Sequence, residues 1–536
     1  MFDLVFRNAR IVDGSGSDEF RGDVALSGEK IARVGKVDPG SASQEIDIDG
    51  KVICPGFIDT HSHSDRTALF VSDPDSKILQ GVTTEVVGNC GQSMAPINDR
   101  YFEDLKPYIA PSLPPEVSAD WSWRSMEEML DVLDRKGHVT DLIQLVGNGT
   151  VRIAAMGVEA RQPSASEMEL MKEYVKESME AGAAGLSTGL IFPPSCYAST
   201  EELVELCKVV AEYDGIYAAH IRGEAGSLLD AVTEAVEIAE KSGCALHISH
   251  HKVMRRFRGW SEKTLQMMED AVSRGIDVTC DLYPYPAGSN MITSLLPPWA
   301  NTDGIPKVLA RMADPDARKR ILEDFGRDIP GWDNHAKDTG WDRILIGSSN
   351  YDTSIVGKSL QEIADSRGVD PALNYLDLVA SEKAQATIVI LSHSEEDMEY
   401  ILKHRLSMIG SDSLSTSLSG PLARGNPHPR CFGTYPRLLG VYVRNKKLLT
   451  LEEAVRKATG FPASRFKLSD RGQVKEGLLA DLVIFDPAAI IDRADFKNSR
   501  VASEGIDYVV KNGQIVVKSG KTEGKILGRS VRMRTC

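Results

Sequence analysis

Gly56-Phe57-Ile58-Asp59-Thr60-His61-Ser62-His63-Ser64-Asp65 places two imidazoles at i and i+2 at the end of an apolar run. In a strand that spacing aims both rings to one side. An inward-facing His-x-His pair closing the first strand of a barrel is half of a divalent-metal site, because imidazole suits zinc and similar ions. Taken alone, such a pair is more often two satisfied polar side chains than a metal site. The reading therefore depends on what the rest of the chain sets beside it.

Outward from this stretch, apolar strands alternate with amphipathic helices, the signature of parallel β/α architecture. Eight strand candidates follow: 52–60, 83–89, 142–147, 185–188, 216–219, 245–249, 277–280 and 408–410. Eight is the number a TIM-like (β/α)8 barrel needs. After the fourth, Ser199 with Glu202 reads as a capping box opening a helix whose Leu203, Leu206, Cys207 and Val210 share an apolar face. The gap from about 285 to 407 is too long for one connecting helix. It predicts an insertion, a lid over about 286–342 that opens with Leu296-Pro297-Pro298-Trp299 and contains a helix near Asp316 to Phe325. Arg343 to Gly347 and Ala386 to Ser392 could return to the barrel as an extra β/α unit.

Both chain ends have a different texture. Short strands punctuated by glycine fill 1–54, and the pattern returns over 470–536 in Asp481 to Phe485, Tyr508 to Lys511, Gln514 to Lys518 and Lys525 to Leu527, with Asn512-Gly513 as a hairpin turn. The two ends are expected to build one small β-sandwich beside a barrel spanning 55–469.

The 536 residues exceed what one hydrophobic core holds, in keeping with a large body and a satellite. A net charge of -15 argues against nucleic acid or an anionic membrane surface as partner. The eight cysteines show no Cys-x-x-Cys spacing, and the N-terminus has no basic segment leading into a long apolar run. The expected location is the cytoplasm, and the expected partner is a small-molecule substrate.

Catalytic groups of such barrels sit at the C-terminal ends of the strands. Here those ends carry His61, His63, Asp65, Cys90, His220, His247, His250, His251, Lys252, Asp281, Tyr283 and Asp412, with six of the eleven histidines among them. Each has an ordinary alternative: Cys90 as a small buried hydrophobe, His220 as a core histidine, Asp412 as a helix cap. Their joint placement favours chemistry. Alternation puts Leu246, Ile248, His250 and Lys252 on one face of the sixth strand, with His247 and His251 opposite, packing or hydrogen bonding behind the site. His138, His335, His393, His404 and His428 lie off the strand ends and read as surface or structural.

These residues resemble the amidohydrolase superfamily and, within it, the D-aminoacylase (N-acyl-D-amino-acid deacylase) family. The resemblance runs end to end, through Leu4 to Gly14, Pro55 to Asp65, Gly88-Asn89-Cys90-Gly91, Gly185-Leu186-Ser187-Thr188-Gly189-Leu190, His220-Ile221-Arg222-Gly223-Glu224, Ser249-His250-His251-Lys252 and Gly410-Ser411-Asp412. The cysteine on the second strand is its specific part. Most relatives with paired metals use a carboxylated lysine after the fourth strand, and no lysine stands there. The resemblance implies a tightly held zinc on Cys90, His220 and His250, a weaker second position framed by His61, His63 and Asp412, and an insertion after the seventh strand. Phe192 departs from the tyrosine more usual in the family, which bears on the pocket rather than the chemistry.

The expected activity is zinc-dependent hydrolysis of N-acyl-D-amino acids, with Asp412 as general acid/base. The preference for D substrates comes from the resemblance alone. Lys252 and Tyr283, with Arg437 as a third, are the expected partners of the substrate carboxylate. The basic stretch Met254 to Arg258 either favours an acidic side chain or is simply solvated. The alternatives are a cyclic amidase of the hydantoinase or dihydropyrimidinase type, which prefers a bridging lysine, a D-dipeptidase, and a non-catalytic scaffold relative, which would lose its ligands.

Overall fold

The computed structural model describes residues 1–109 and 121–533, so Cys536 lies outside the described residues. All eight barrel strands are present and neighbours run parallel: Phe57–Asp59, Val82–Val87, Asp141–Gln144 continued by Val146–Gly147, Gly185–Gly189, Ile216–His220, Ala245–Ile248, Val278–Leu282 and Ser407–Ile409. The first and last meet through Thr60 N–H donating to the Ile409 carbonyl at 3.5 Å and a parallel bridge between Ser62 and Ser413. Adjacent strand residues fall into two separate cores. Ile58, Val86, Ile143 and Ala218 pack with Phe466, whereas Phe57, Val87, Leu142 and Tyr217 pack with helix residues such as Leu206 and Val210. That division is the period-2 alternation of a barrel wall, inside against outside.

The predicted strand 52–60 divides at Gly56. Val52–Pro55 belongs to the sandwich, and only Phe57–Asp59 belongs to the barrel. A Cβ on Gly56 would come within 2.2 Å of Thr83 Oγ1, so the crossing between the two bodies needs a residue without one. The sandwich is a single nine-stranded sheet in which Leu482–Phe485 lies antiparallel to Val52–Pro55, joining the two chain ends. Lys525 to Leu527 forms no strand. Instead Ser530–Val531 pairs parallel with Leu142 and Ile143 of the third barrel strand, so this last stretch adds to the barrel rather than to the sandwich.

The insertion runs further than 342. Gly288–Met291, Thr387–Ile390 and Ile344–Ser348 form an antiparallel sheet of their own over a core that includes Ile292, Ile346, Tyr375 and Ile388. Arg343 to Gly347 and Ala386 to Ser392 thus stay in the insertion and supply no barrel strand. The helix near 316 is Pro315–Asp324. Ser199 caps Thr200–Glu212 by accepting from Glu202 N–H at 3.2 Å, but the reciprocal arm of the capping box is missing because the Glu202 carboxylate pairs with buried Arg152. No helix among the described residues is long and apolar enough to cross a membrane.

Candidate metal centre

Three of the groups at the barrel mouth sit on left-handed backbone just past their strands: Cys90 (φ 55°), His250 (φ 37°) and Asp412 (φ 49°). Non-glycine residues in this region are strained by about 1–3 kcal/mol each and cluster at functional sites. The turn at His250 decides its position. Leu246 and Ile248 pack in the outer core, so simple alternation would point His250 away from the mouth, but the strand stops at Ile248 and the left-handed residue swings the ring inward.

The donors then converge. Cys90 Sγ lies 3.3 Å from His61 Nε2 and 3.5 Å from His250 Nε2, which is 3.0 Å from His220 Nδ1. Asp412 Oδ1 is 3.6 Å from His61 Nε2 and 3.3 Å from His63 Nε2. A tetrahedral zinc with bonds of 2.0–2.3 Å has ligand atoms about 3.3–3.7 Å apart, so the cluster has the size of such a site. Buried His61 Nδ1 and His220 Nε2 make no hydrogen bond. They face Asp281 Oδ2 at 3.7 Å and Glu224 Oε1 at 3.5 Å, carboxylates placed behind the rings as metal-binding imidazoles require.

The electrostatics also fit a cation. Burial lowers all four imidazoles, His220 to about 4 and His63 to about 3, which keeps them neutral and able to ligate. Burial, reinforced by Asp412, pushes the Cys90 thiol well above its usual range. A thiolate here therefore needs a metal to stabilise it. For Asp412, burial alone would raise the carboxyl, but the Arg430 guanidinium, His250 and the His63 contact outweigh it and hold it far below the usual range. Arg430 Nη1 stands 2.9 Å from Asp412 Oδ2.

A cavity of about 280 Å³ opens above the donors, between the barrel mouth and the insertion sheet. Lys252 lines it, with its ammonium on Glu224 and 2.8 Å from His250 Nδ1. Tyr283 lines it under the Arg430 guanidinium, 4.4 Å from the ring centroid. Arg437 does not line it. That side chain is tied to Asp492 at 3.1 Å and the Pro284 carbonyl at 2.7 Å, over the rings of Tyr285 and Tyr442, which removes it from the carboxylate role. Arg430, two helical turns earlier, faces the site instead. Arg255, Arg256 and Arg258 are engaged with the His393 carbonyl, Asp338 and Glu396, and only Met254 of that basic stretch reaches the cavity wall.

Sequence reading also misplaced three histidines. His335, His393 and His428, read as surface or structural, line the cavity because the insertion and the segment after the eighth strand fold over the mouth. His247 does lie behind the site, bonded to Asp281 Oδ2 at 2.8 Å, and His251 is 2.8 Å from Thr264 Oγ1. Asp65 is buried, and desolvation raises its carboxyl to about 6. Arg66, Glu224 and Arg430 were missed. Glu224 alone carried a signal, four residues after His220 in a quoted motif. Phe192 packs edge-on against the His220 ring, with centroids 5.1 Å apart.

The fold is matched by comparison with known proteins. The amidohydrolase family model matches residues 44–517. A D-aminoacylase of Alcaligenes xylosoxydans xylosoxydans is 34% identical, covering 99% of this chain and 98% of its own. A solved N-acyl-D-glutamate deacylase of Bordetella bronchiseptica, complexed with zinc and a phosphonate mimic of the tetrahedral intermediate, is 31% identical over 99% of both chains, with a TM-score of 0.82. A solved D-aminoacylase described as activated by one metal and attenuated by a second is 32% identical over 99% of both chains, with a TM-score of 0.81.

Proposed function

The chain belongs to the amidohydrolase family, within its D-aminoacylase branch, and on that premise we propose that the barrel mouth is a zinc centre hydrolysing the amide bond of N-acyl-D-amino acids to a carboxylate and a free D-amino acid. The observation that carries the reading is that Cys90 and His220 both approach His250 Nε2, with His61 and Asp412 clustered beside Cys90. Cys90, His220 and His250 would hold the tight zinc. When bound there, zinc supplies Lewis acidity towards the carbonyl and makes water more acidic.

The remaining work falls to the chain's own groups. Asp412, kept ionised by Arg430 and His63, takes a proton from the attacking water at Oδ1, the oxygen that Arg430 leaves free. The water oxygen bonds to the amide carbon, the C–N bond breaks, and Asp412 returns the proton to the departing nitrogen. Asp281 holds the mouth in register, accepting from Thr60 Oγ1 at 2.9 Å and from the His250 backbone N–H at 2.5 Å. Lys252 and Tyr283 are the cavity groups suited to the substrate carboxylate. Ser289, Asn290, Ser348 and Gln385 of the insertion present an uncharged polar wall to the rest of the substrate.

A bridging lysine has no place in this site. A Cβ at Gly189, where the fourth strand ends, would lie 2.2 Å from the Cys90 carbonyl oxygen, which disfavours the cyclic-amidase alternative. The seven described cysteines are all free, which supports a cytoplasmic location. The test is hydrolysis of matched N-acetyl-D- and N-acetyl-L-amino acids by zinc-loaded protein across acidic, aliphatic, aromatic and basic side chains. Turnover confined to D substrates supports the reading, and turnover of neither series with zinc bound overturns it.

A further inference from the structure

We infer that Arg66 closes the second metal position, making this a one-zinc enzyme that resists a second zinc. The inference rests on the reading that Cys90, His220 and His250 hold the first. The weaker position would draw on His61, His63 and Asp412, and guanidinium groups contact two of those three. Arg66 is only 8% exposed, and its Nη2 lies 3.4 Å from His63 Nδ1 while bonding to the Gln92 side-chain carbonyl. Arg430 lies on Asp412 Oδ2 at 2.9 Å.

An arginine can only donate, so it fixes the His63 tautomer. With Nδ1 accepting from Arg66, the single ring proton of neutral His63 sits on Nε2. That is the nitrogen facing Asp412 Oδ1 at 3.3 Å, so His63 donates a hydrogen bond to the carboxylate instead of offering a lone pair to a metal. The arrangement is a chain, Arg66 to His63 to Asp412, with Arg430 closing it from the other side. A divalent ion entering it would have to expel the Nε2 proton, share Asp412 with Arg430, and sit beside two fixed positive charges.

The tight position differs at the corresponding point. His250 Nδ1 also meets a cation, Lys252 Nζ at 2.8 Å, but Glu224 Oε1 stands 3.4 Å from the same nitrogen and can accept its proton, freeing Nε2 for the metal. Among the described residues the one carboxylate paired with His63 is Asp412, and it faces Nε2. The asymmetry between the two positions therefore lies in the groups behind the rings more than in the donors themselves.

The test is equilibrium dialysis of the full chain against zinc from micromolar to millimolar, with zinc per chain read by atomic emission, for the wild type and for Arg66→Met and Arg66→Gln. The wild type is expected to level off at one zinc per chain and both variants to rise to two, with added zinc depressing turnover in the variants only. A wild-type plateau of two overturns the inference and leaves the zinc-centre reading intact. Folded variants that stay at one overturn it as well, and a wild type that binds none overturns both. A wild-type plateau of two decides against the inference even where a variant does not fold, and Arg66→Gln, the milder replacement, keeps the contrast readable if Arg66→Met does not fold.

Discussion

Two of the buried charge clusters in this molecule are built differently. At the seam between barrel and sandwich, Lys511 Nζ bonds to Asp141 at 2.7 Å and Asp481 at 2.8 Å, Arg471 joins Asp141 to Thr84, and Asp141 Oδ1 accepts from the Arg529 backbone N–H at 2.9 Å. The buried polar atoms of Asp141, Asp481 and Lys511 are all partnered, as buried charge requires. At the mouth, two imidazole nitrogens are unpartnered, three residues sit on left-handed backbone, and a thiol is held where only a cation would ionise it. Completeness marks the structural cluster and incompleteness the functional one, because a site must keep capacity for what it has yet to bind.

The sharpest way to break that contrast is to damage the complete cluster. Lys511→Met leaves Asp141 and Asp481 short of a cation and is expected to destabilise the fold by about 3–5 kcal/mol, with kcat and KM of the folded fraction unchanged. Chemical denaturation monitored alongside steady-state rates checks this, and a fall in kcat at unaltered stability would erase the distinction. Asp412→Asn is the reverse experiment. Turnover should drop at least ~100-fold, roughly 2.7 kcal/mol of barrier, while the thermal midpoint and zinc content hold. Near-normal turnover would remove Asp412 from the mechanism.

The smallest effect separates the clusters by pH. Burial lowers His393, in the cavity wall, from 6.5 to about 3. Below pH 6.5 the unfolded chain takes up a proton there that the folded chain refuses, so stability declines as pH falls from 6.5 towards 3. Asp141 runs later. Burial would raise it, but Lys511 and Arg471 outweigh that and lower it below 3.8, so its contribution is intact above that value and is lost only as pH falls further. His393→Asn should flatten the thermal midpoint between pH 6.5 and 4.5 by roughly 1 °C per pH unit, whereas seam variants should leave that slope unchanged. An unaltered slope in His393→Asn would show that His393 is not what titrates there.

How far the sequence could be read follows from the range of each interaction. Strand periodicity and the glycine-bounded turns are local, so all eight barrel strands were legible, as was the Asn512-Gly513 hairpin, with φ 49° and 75° at its centre. The length of the insertion was not, since Arg343 to Gly347 and Ala386 to Ser392 could equally be an extra barrel unit until the antiparallel pairing of Ile344–Ser348 with Thr387–Ile390 is seen. Arg437 was named and Arg430 was not; both are arginines on one short helix, and only packing shows which end faces the cavity.

By itself the sequence determined the fold class, the resemblance to the family, and which cysteine, histidine and aspartate side chains stand at the strand ends. The fold class and the strand ends rest on local pattern, while zinc and its expected ligand set came with the resemblance. The tertiary structure alone decided that His250 turns inward, that Lys252 meets Glu224, and that Arg66 and Arg430 flank the second position. The Lys252–Glu224 and Cys90–His250 contacts join residues 28 and 160 positions apart, whereas Arg66 meets His63 only three residues away, across a turn that the fold has to set. Charge and tautomer at a buried site are set by whatever the fold brings within about 4 Å, and that distance is not written along the chain.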